Sequence, residues 1–170
     1  KVKIVKKPTS AEEVYNDCIL LVDSMAKVYQ VQLPAVVAKR QRPNILVDPI
    51  RFKQVILNLL SNAIKYNNKG GRIEVSFETK INTLRMNIKD QGNGIAKEFQ
   101  KSIFQPFNRL NADTNDIEGT GIGLAVCENL VELMSGEIGV ESNIGQGSTF
   151  WVEMPLAEKV HRNNQIKGNN

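Results

Sequence analysis

Asn58 and Asn62 lie in the stretch Asp48–Gly71 (DPIRFKQVILNLLSNAIKYNNKGG), four residues apart, so an α-helix stacks their amides on one face. Their neighbours Val55, Ile56, Leu57, Leu59, Leu60, Ala63 and Ile64 are apolar, which sets this helix against a core. Asparagine is a mediocre helix former and costly to bury without partners. Two stacked amides in an apolar helix therefore point to a ligand, and amide oxygens suit a hard cation such as Mg²⁺. A pair of asparagines capping nearby backbone groups fits the same pattern, and the helix alone does not separate the two readings.

Three glycine-bearing segments follow: Asp90-Gln91-Gly92-Asn93-Gly94-Ile95, Gly119-Thr120-Gly121-Ile122-Gly123-Leu124 and Gly145-Gln146-Gly147-Ser148-Thr149. A polyphosphate needs backbone N–H donors and a cation, while adenine needs a partner for its exocyclic amine and a flat apolar slot. Gly119–Gly123 opens a helix, whose free N–H groups and positive dipole end can face phosphate. Glycines let that backbone approach closely. A flexible loop before a helix has the same composition. Asp90 closes a strand, where its carboxylate can accept the adenine amine; aspartate also commonly starts a turn. Thr149 opens the last strand and is expected to add a second polar contact on the same side, or to be an ordinary β-branched strand residue. Lys65 and Tyr66 follow Asn62 within a turn; phosphate and ribose contacts compete with a solvated lysine and a core tyrosine.

Taken in order, the asparagine helix and these three segments resemble the N, G1, G2 and G3 boxes of the GHKL ATP-binding fold. The segment Ile103-Phe104-Gln105-Pro106-Phe107-Asn108-Arg109 resembles the F box of sensor histidine kinases. The resemblance runs from about Lys3 to Pro155. It implies that ATP and Mg²⁺ are the cofactors, with Asn62 and Asn58 as metal ligands. The nucleotide would be held by Asn58, Asn62, Lys65, Tyr66, Asp90, Gly92, Gly94, Ile95, Gly119, Thr120, Gly121, Ile122, Gly123, Leu124 and Thr149. Asp90 takes the place of the purine-reading aspartate. Arg109 stands where the family reaches the γ-phosphate, which suits a planar cation. Arg109, Lys65 and Asn58 are then the residues expected to act on the phosphoryl group. Phe104 and Phe107 are expected to anchor the loop to the core.

In gyrase-type and mismatch-repair-type relatives, the residue four before the Mg²⁺ asparagine is a glutamate acting as general base on water. Here it is Asn58, and an amide cannot accept that proton. This favours phosphoryl transfer to an external group over hydrolysis. Two departures stand out: Asn67 replaces the usual Thr or Ser, and the segment from Asn108 to Glu118 is acidic (Asp113, Asp116, Glu118), with Arg109 its one cation. The acceptor expected from the resemblance is a histidine on a separate dimerisation domain of the same protein, with a response regulator receiver domain as onward partner. The one histidine present, His161, sits in a polar tail and reads as a surface residue. An anti-sigma-type Ser/Thr protein kinase and a non-enzymatic nucleotide sensor are the alternatives.

Composition narrows the classes further. The chain has 170 residues, 41% hydrophobic and 24% charged, enough for one domain with a sizeable core. The net charge of +4 comes from the ends: four lysines within the first seven residues and a basic tail leave Pro8–Ala157 at −2. No basic nucleic-acid face is indicated. Cys18 falls in the stripe Val14, Cys18, Leu21, Val22, Met25 and Cys127 in an apolar helix, so both read as buried thiols of a reducing, cytoplasmic compartment. No apolar run approaches a membrane span. The start reads as a fragment of a longer protein, a membrane anchor elsewhere in that parent is compatible with this reading, and the isolated domain is expected to be monomeric.

The elements that must position these residues follow from their punctuation. Val2–Val5 alternates and predicts a short edge strand. Ser10 with Glu13 forms a capping box for a helix to about Gln30. Val31–Ala38 and Asn44–Val47 read as strands. Asp48-Pro49 starts the asparagine helix, which runs to about Tyr66. Arg72–Ile81 and Leu84–Asp90 form a hairpin around Asn82-Thr83. Gly92–Thr120 is mostly loop, with a short helix near Lys97–Ile103. Gly121 opens a helix to about Met134, and Ile138–Ser142 with Ser148–Pro155 make a closing hairpin. The predicted architecture is an α/β two-layer sandwich, three helices on one face of a mixed, mostly antiparallel sheet, over residues 1–156. Residues 157–170 read as a polar, disordered tail.

Overall fold

Local capping chemistry sets where the helices begin. In the computed structural model, which describes residues 1–38, 42–106 and 122–158, Ser10 Oγ accepts the Glu13 N–H at 3.3 Å and starts helix α1, Ala11–Tyr29. Gln30 ends it in the left-handed region at φ 56°. Asp48 is buried and starts α2, Pro49–Lys65, by accepting the N–H groups of Ile50 and Arg51 at 3.1 and 3.2 Å. Its second oxygen accepts the Val5 N–H at 3.0 Å. That bond, together with those of α2, holds the Asp48 carboxyl below its ordinary range against the opposing effect of burial. The third helix, α3, spans Gly123–Leu133.

Strand β1 is Lys7–Thr9 and pairs antiparallel with β2, Ile45–Val47. The remaining strands, β3 (Glu74–Thr79), β4 (Thr83–Lys89), β5 (Glu137–Ser142) and β6 (Ser148–Pro155), form one antiparallel sheet in the order β3-β4-β6-β5. Alternation divides the sheet's faces. Leu84, Met86, Ile88, Phe150, Val152 and Met154 are buried beneath the helices together with Val55, Ile56, Leu59, Leu60 and Val131. This is the expected two-layer α/β sandwich. The parallel component of the sheet reduces, among the described residues, to an isolated bridge between Gln32 and Arg72.

Two predicted strands are not formed. Val2–Val5 has no ladder, because the β1–β2 pairing starts at Lys7, and Val5 is instead tied to Asp48. Residues 31–38 carry only the Gln32 bridge. Pro34 has no N–H to donate, and side chains of α1 take up backbone groups there. Tyr15 donates to the Ala35 carbonyl at 3.2 Å, and Asn16 pairs with both the N–H and the carbonyl of Val37. Near Lys97–Ile103 the helical reading resolves into two 3₁₀ turns, Lys97–Phe99 and Ser102–Phe104. Phe104 is buried edge-on to Phe150 at 6.5 Å between centroids, as an anchor should be; Phe107 lies outside the described residues. Cys18 and Cys127 are buried and unbridged, and burial pushes both thiols up to about 12.

The outer face of the sheet is polar. Glu153 accepts from Arg85 Nε at 2.6 Å and from Lys80 Nζ and Thr83 Oγ1 at 2.8 Å, while Arg85 lies 3.9 Å from the centroid of the Trp151 ring. Burial raises the Glu153 pKa, but the three hydrogen bonds outweigh it and bring the group to about 2. A depressed acid pKa stabilises the fold above the ordinary value of 4.5, and this contribution is lost as pH falls towards 2. Glu153→Gln is therefore expected to cost about 1–3 kcal/mol at pH 7 and to flatten the acid limb below pH 4.5. Urea unfolding at pH 7 and pH 3 measures both; equal losses at the two values would contradict the role given to the charge.

Candidate nucleotide-binding site

The C-terminal half of α2, the turn after β4 and the β5–β6 turn meet at one end of the molecule. Gly92 packs on the end of α2, where an added Cβ would overlap the Tyr66 carbonyl oxygen. Gly94 sits against the Asn143 carbonyl, and the Asn93 carbonyl accepts the Gly145 N–H at 2.7 Å. Gly147, at φ +77°, lies directly on the Asp90 carbonyl, a position that is strained for any residue with a Cβ. The first and third glycine segments are thus one interlocked unit. Gly123, at the start of α3, faces the Asn58 amide, whose atoms would stand 2.7 Å from a Cβ built there.

Asp90 is 4% exposed. Its Oδ1 accepts the N–H groups of Gly92 at 2.9 Å and Ser148 at 3.2 Å. No described residue donates to Oδ2, which keeps an acceptor for a ligand amine. Burial raises the pKa of this carboxyl above its ordinary value, and the two backbone N–H groups oppose the rise only in part.

Asn58 and Asn62 are half-buried, and among the described residues neither side-chain amide makes a hydrogen bond. This disfavours the capping alternative; other asparagines here do tie backbone, as Asn16 and Asn67 show. Among the described residues no cluster of three His, Cys, Asp or Glu could hold a metal. A cation at this place would be held by neutral amide oxygens and by its ligand's own anionic oxygens, a donor set that fits Mg²⁺. Among the described residues no side chain caps α3, and Ile122 stands at its N-cap position. The first-turn N–H groups and the positive end of the helix dipole are then open to an anion.

Lys65 is half-buried at the end of α2, and Tyr66 is 50% exposed, so it is no core tyrosine. Ile95 donates its N–H to Ser142 Oγ at 2.7 Å, and Ile95 and Leu124 pack on the core edge. Gly119, Thr120, Gly121 and Arg109 lie outside the described residues. Thr149 is corrected. It pairs with Lys89 and Glu141 and alternates with the buried Ser148 and Phe150, so its side chain belongs to the outer face, away from Asp90. Ser148 takes the place expected of it: it is buried, bonded through its N–H to Asp90, with its Oγ 2.8 Å from that of Ser142. The signal was present in the strand's parity, since Ser148 shares its face with Phe150, Val152 and Met154. Gln100 was also missed; its Nε2 donates to the carbonyls of Ile95 at 2.9 Å and Ser142 at 2.8 Å, fixing the chain beyond the Asp90 turn.

Residues 47–158 match the family model described as histidine kinase-, DNA gyrase B- and HSP90-like ATPase. The chain belongs to that family. A sensor histidine kinase of Pseudomonas protegens, GacS, is 33% identical over 155 residues, a match covering 88% of this chain and 17% of that protein. The crystal structure of full-length ShkA in complex with AMPPNP superposes with a TM-score of 0.80 at 25% identity, covering 93% of this chain and 33% of that one. A complex of the histidine kinase ThkA with the response regulator protein TrrA matches in fold, with a TM-score of 0.74 at 23% identity over 90% of this chain and 42% of that one. The chain thus spans a minor part of these relatives, and what it shares with them is their ATP-binding domain.

Proposed function

We propose that this chain binds Mg²⁺·ATP and donates the γ-phosphoryl group to a histidine on a dimerisation domain, from which a response regulator receiver domain takes it. The observation that carries the reading is the convergence of three features: the buried Asp90, two α2 amides and the start of α3 against Asn58, where among the described residues nothing donates to Asp90 Oδ2, bonds either amide or caps the helix. Bound Mg²⁺ supplies positive charge to the polyphosphate, held by Asn62 with Asn58 beside it. Asp90 orients the base, the start of α3 receives phosphate oxygens, and Lys65 and Arg109 neutralise the transferring group. Catalysis of this kind is mostly positioning and charge stabilisation. Asn58, an amide, favours transfer over activation of water. ATP as donor puts the site on the cytoplasmic side.

Arg109→Ala separates binding from chemistry. An arginine aimed at the γ-phosphate has no partner in ADP, so ADP affinity should stay within about twofold. Transfer to a supplied histidine-bearing helical hairpin should fall about a hundredfold or more, because the interaction strengthens as charge moves in the transition state. Calorimetry with ADP beside a transfer assay gives both numbers. A large loss of ADP affinity with transfer intact would overturn the assignment.

A further inference from the structure

A second pair of asparagines, just beyond α2, ties the end of that helix to the turn that carries Asp90. Asn67 Oδ1 accepts the N–H of Asn68 at 2.9 Å and that of Gln91 at 3.3 Å, and its Nδ2 donates to the Arg72 carbonyl at 3.1 Å. Asn68 Nδ2 donates to the Gln91 carbonyl at 2.5 Å. Gln91 closes the belt, its Oε1 accepting the Arg72 N–H at 3.1 Å. Both backbone polar groups of Gln91, the residue after Asp90, are therefore held by side chains from the end of the asparagine helix. Gly71 fits under this belt only without a side chain, since a Cβ there would overlap Asn67 Oδ1.

We propose that Asn67 is a positioning residue for base recognition, fixing the Asp90 carboxylate relative to α2 through the backbone of Gln91. The inference rests on the reading of Asp90 as the adenine acceptor. The chemistry of the belt explains why an amide stands here. One short side chain must accept two N–H groups and donate to a carbonyl, which a carboxylate cannot do for lack of a donor, nor an aliphatic residue at all. A hydroxyl can accept from Gln91 and donate to Arg72, so it recovers part of the set. The same bonds would exist in a belt that merely closed a helix end, and the two roles part over selectivity. Loosening a helix end weakens every nucleotide alike, whereas misplacing Asp90 costs the contact that adenine has and guanine lacks.

The test is competitive titration of ADP and GDP against wild type, Asn67→Ala, Asn67→Thr and Asn68→Ala, with melting temperatures recorded beside it. Asn67→Ala is expected to lower the ADP-to-GDP affinity ratio about tenfold, the scale of one or two spoiled hydrogen bonds. Asn67→Thr should recover most of that ratio, and Asn68→Ala, which removes one strut, should lower it about threefold. An unchanged ratio in Asn67→Ala overturns the proposal, whatever happens to its melting temperature. If that variant fails to fold, Asn68→Ala decides, and an unchanged ratio there overturns it equally. A wild type that binds ADP and GDP alike removes the reading of Asp90 itself, and the proposal falls with it.

Discussion

Asn62→Ala is expected to abolish the Mg²⁺ dependence of nucleotide binding and to reduce phosphoryl transfer at least a hundredfold. Residues that only support metal ligands already cost about 10–100-fold in metal affinity or activity when removed, and a direct ligand should cost no less. The substitution is clean because alanine is the better helix former, and no hydrogen bond of the Asn62 side chain to a described residue is lost. The melting temperature should therefore hold or rise while function is lost, the opposite of what a structural asparagine would show. A fluorescent ATP analogue titrated with and without Mg²⁺ reads the effect directly. An unchanged Mg²⁺ dependence would return the asparagine face of α2 to a role in packing.

Asp90→Asn should weaken ADP and ATP alike by about 1–3 kcal/mol, the cost of spoiling a buried hydrogen bond to a charged acceptor. Both nucleotides carry adenine, so a loss confined to ATP would show that Asp90 does not read the base. The raised pKa adds a pH signature. Only the ionised carboxylate accepts the amine fully, so adenine affinity in the wild type should decline as pH falls through a value above the ordinary 3.8. In Asp90→Asn that decline should disappear. Calorimetric titrations with ADP at pH 7.5 and at successively lower pH measure both effects, within the range where circular dichroism shows the fold intact.

How far the sequence reached depended on whether a signal was local. Ser10 and Asp48 start helices through bonds to their own neighbours, so α1 and α2 were legible to within a residue or two. The asparagine face of α2 and Gly123 at the start of α3 were legible for the same reason. Residues 31–38 carry an apolar pattern that reads as a strand, yet their backbone is claimed by Tyr15 and Asn16 from a helix placed earlier in the chain, a tertiary choice that no local window contains. Thr149 was misplaced because one residue of strand register turns a side chain to the other face. The Asn67–Asn68–Gln91 belt spans a loop, a turn and a hairpin, and the sequence showed only that Asn67 was unusual.

The most direct measurement follows the phosphoryl group itself. The wild-type chain, γ-labelled ATP and Mg²⁺ are incubated with a histidine-bearing helical hairpin, and the stability of the labelled product is compared in acid and in alkali. The expected product is lost in acid and survives alkali, as a phosphohistidine does, and it does not form with Asn62→Ala or without Mg²⁺. Label that survives acid, marking serine or threonine, would contradict the proposed reaction, as would tight ATP binding with no transfer to any histidine supplied.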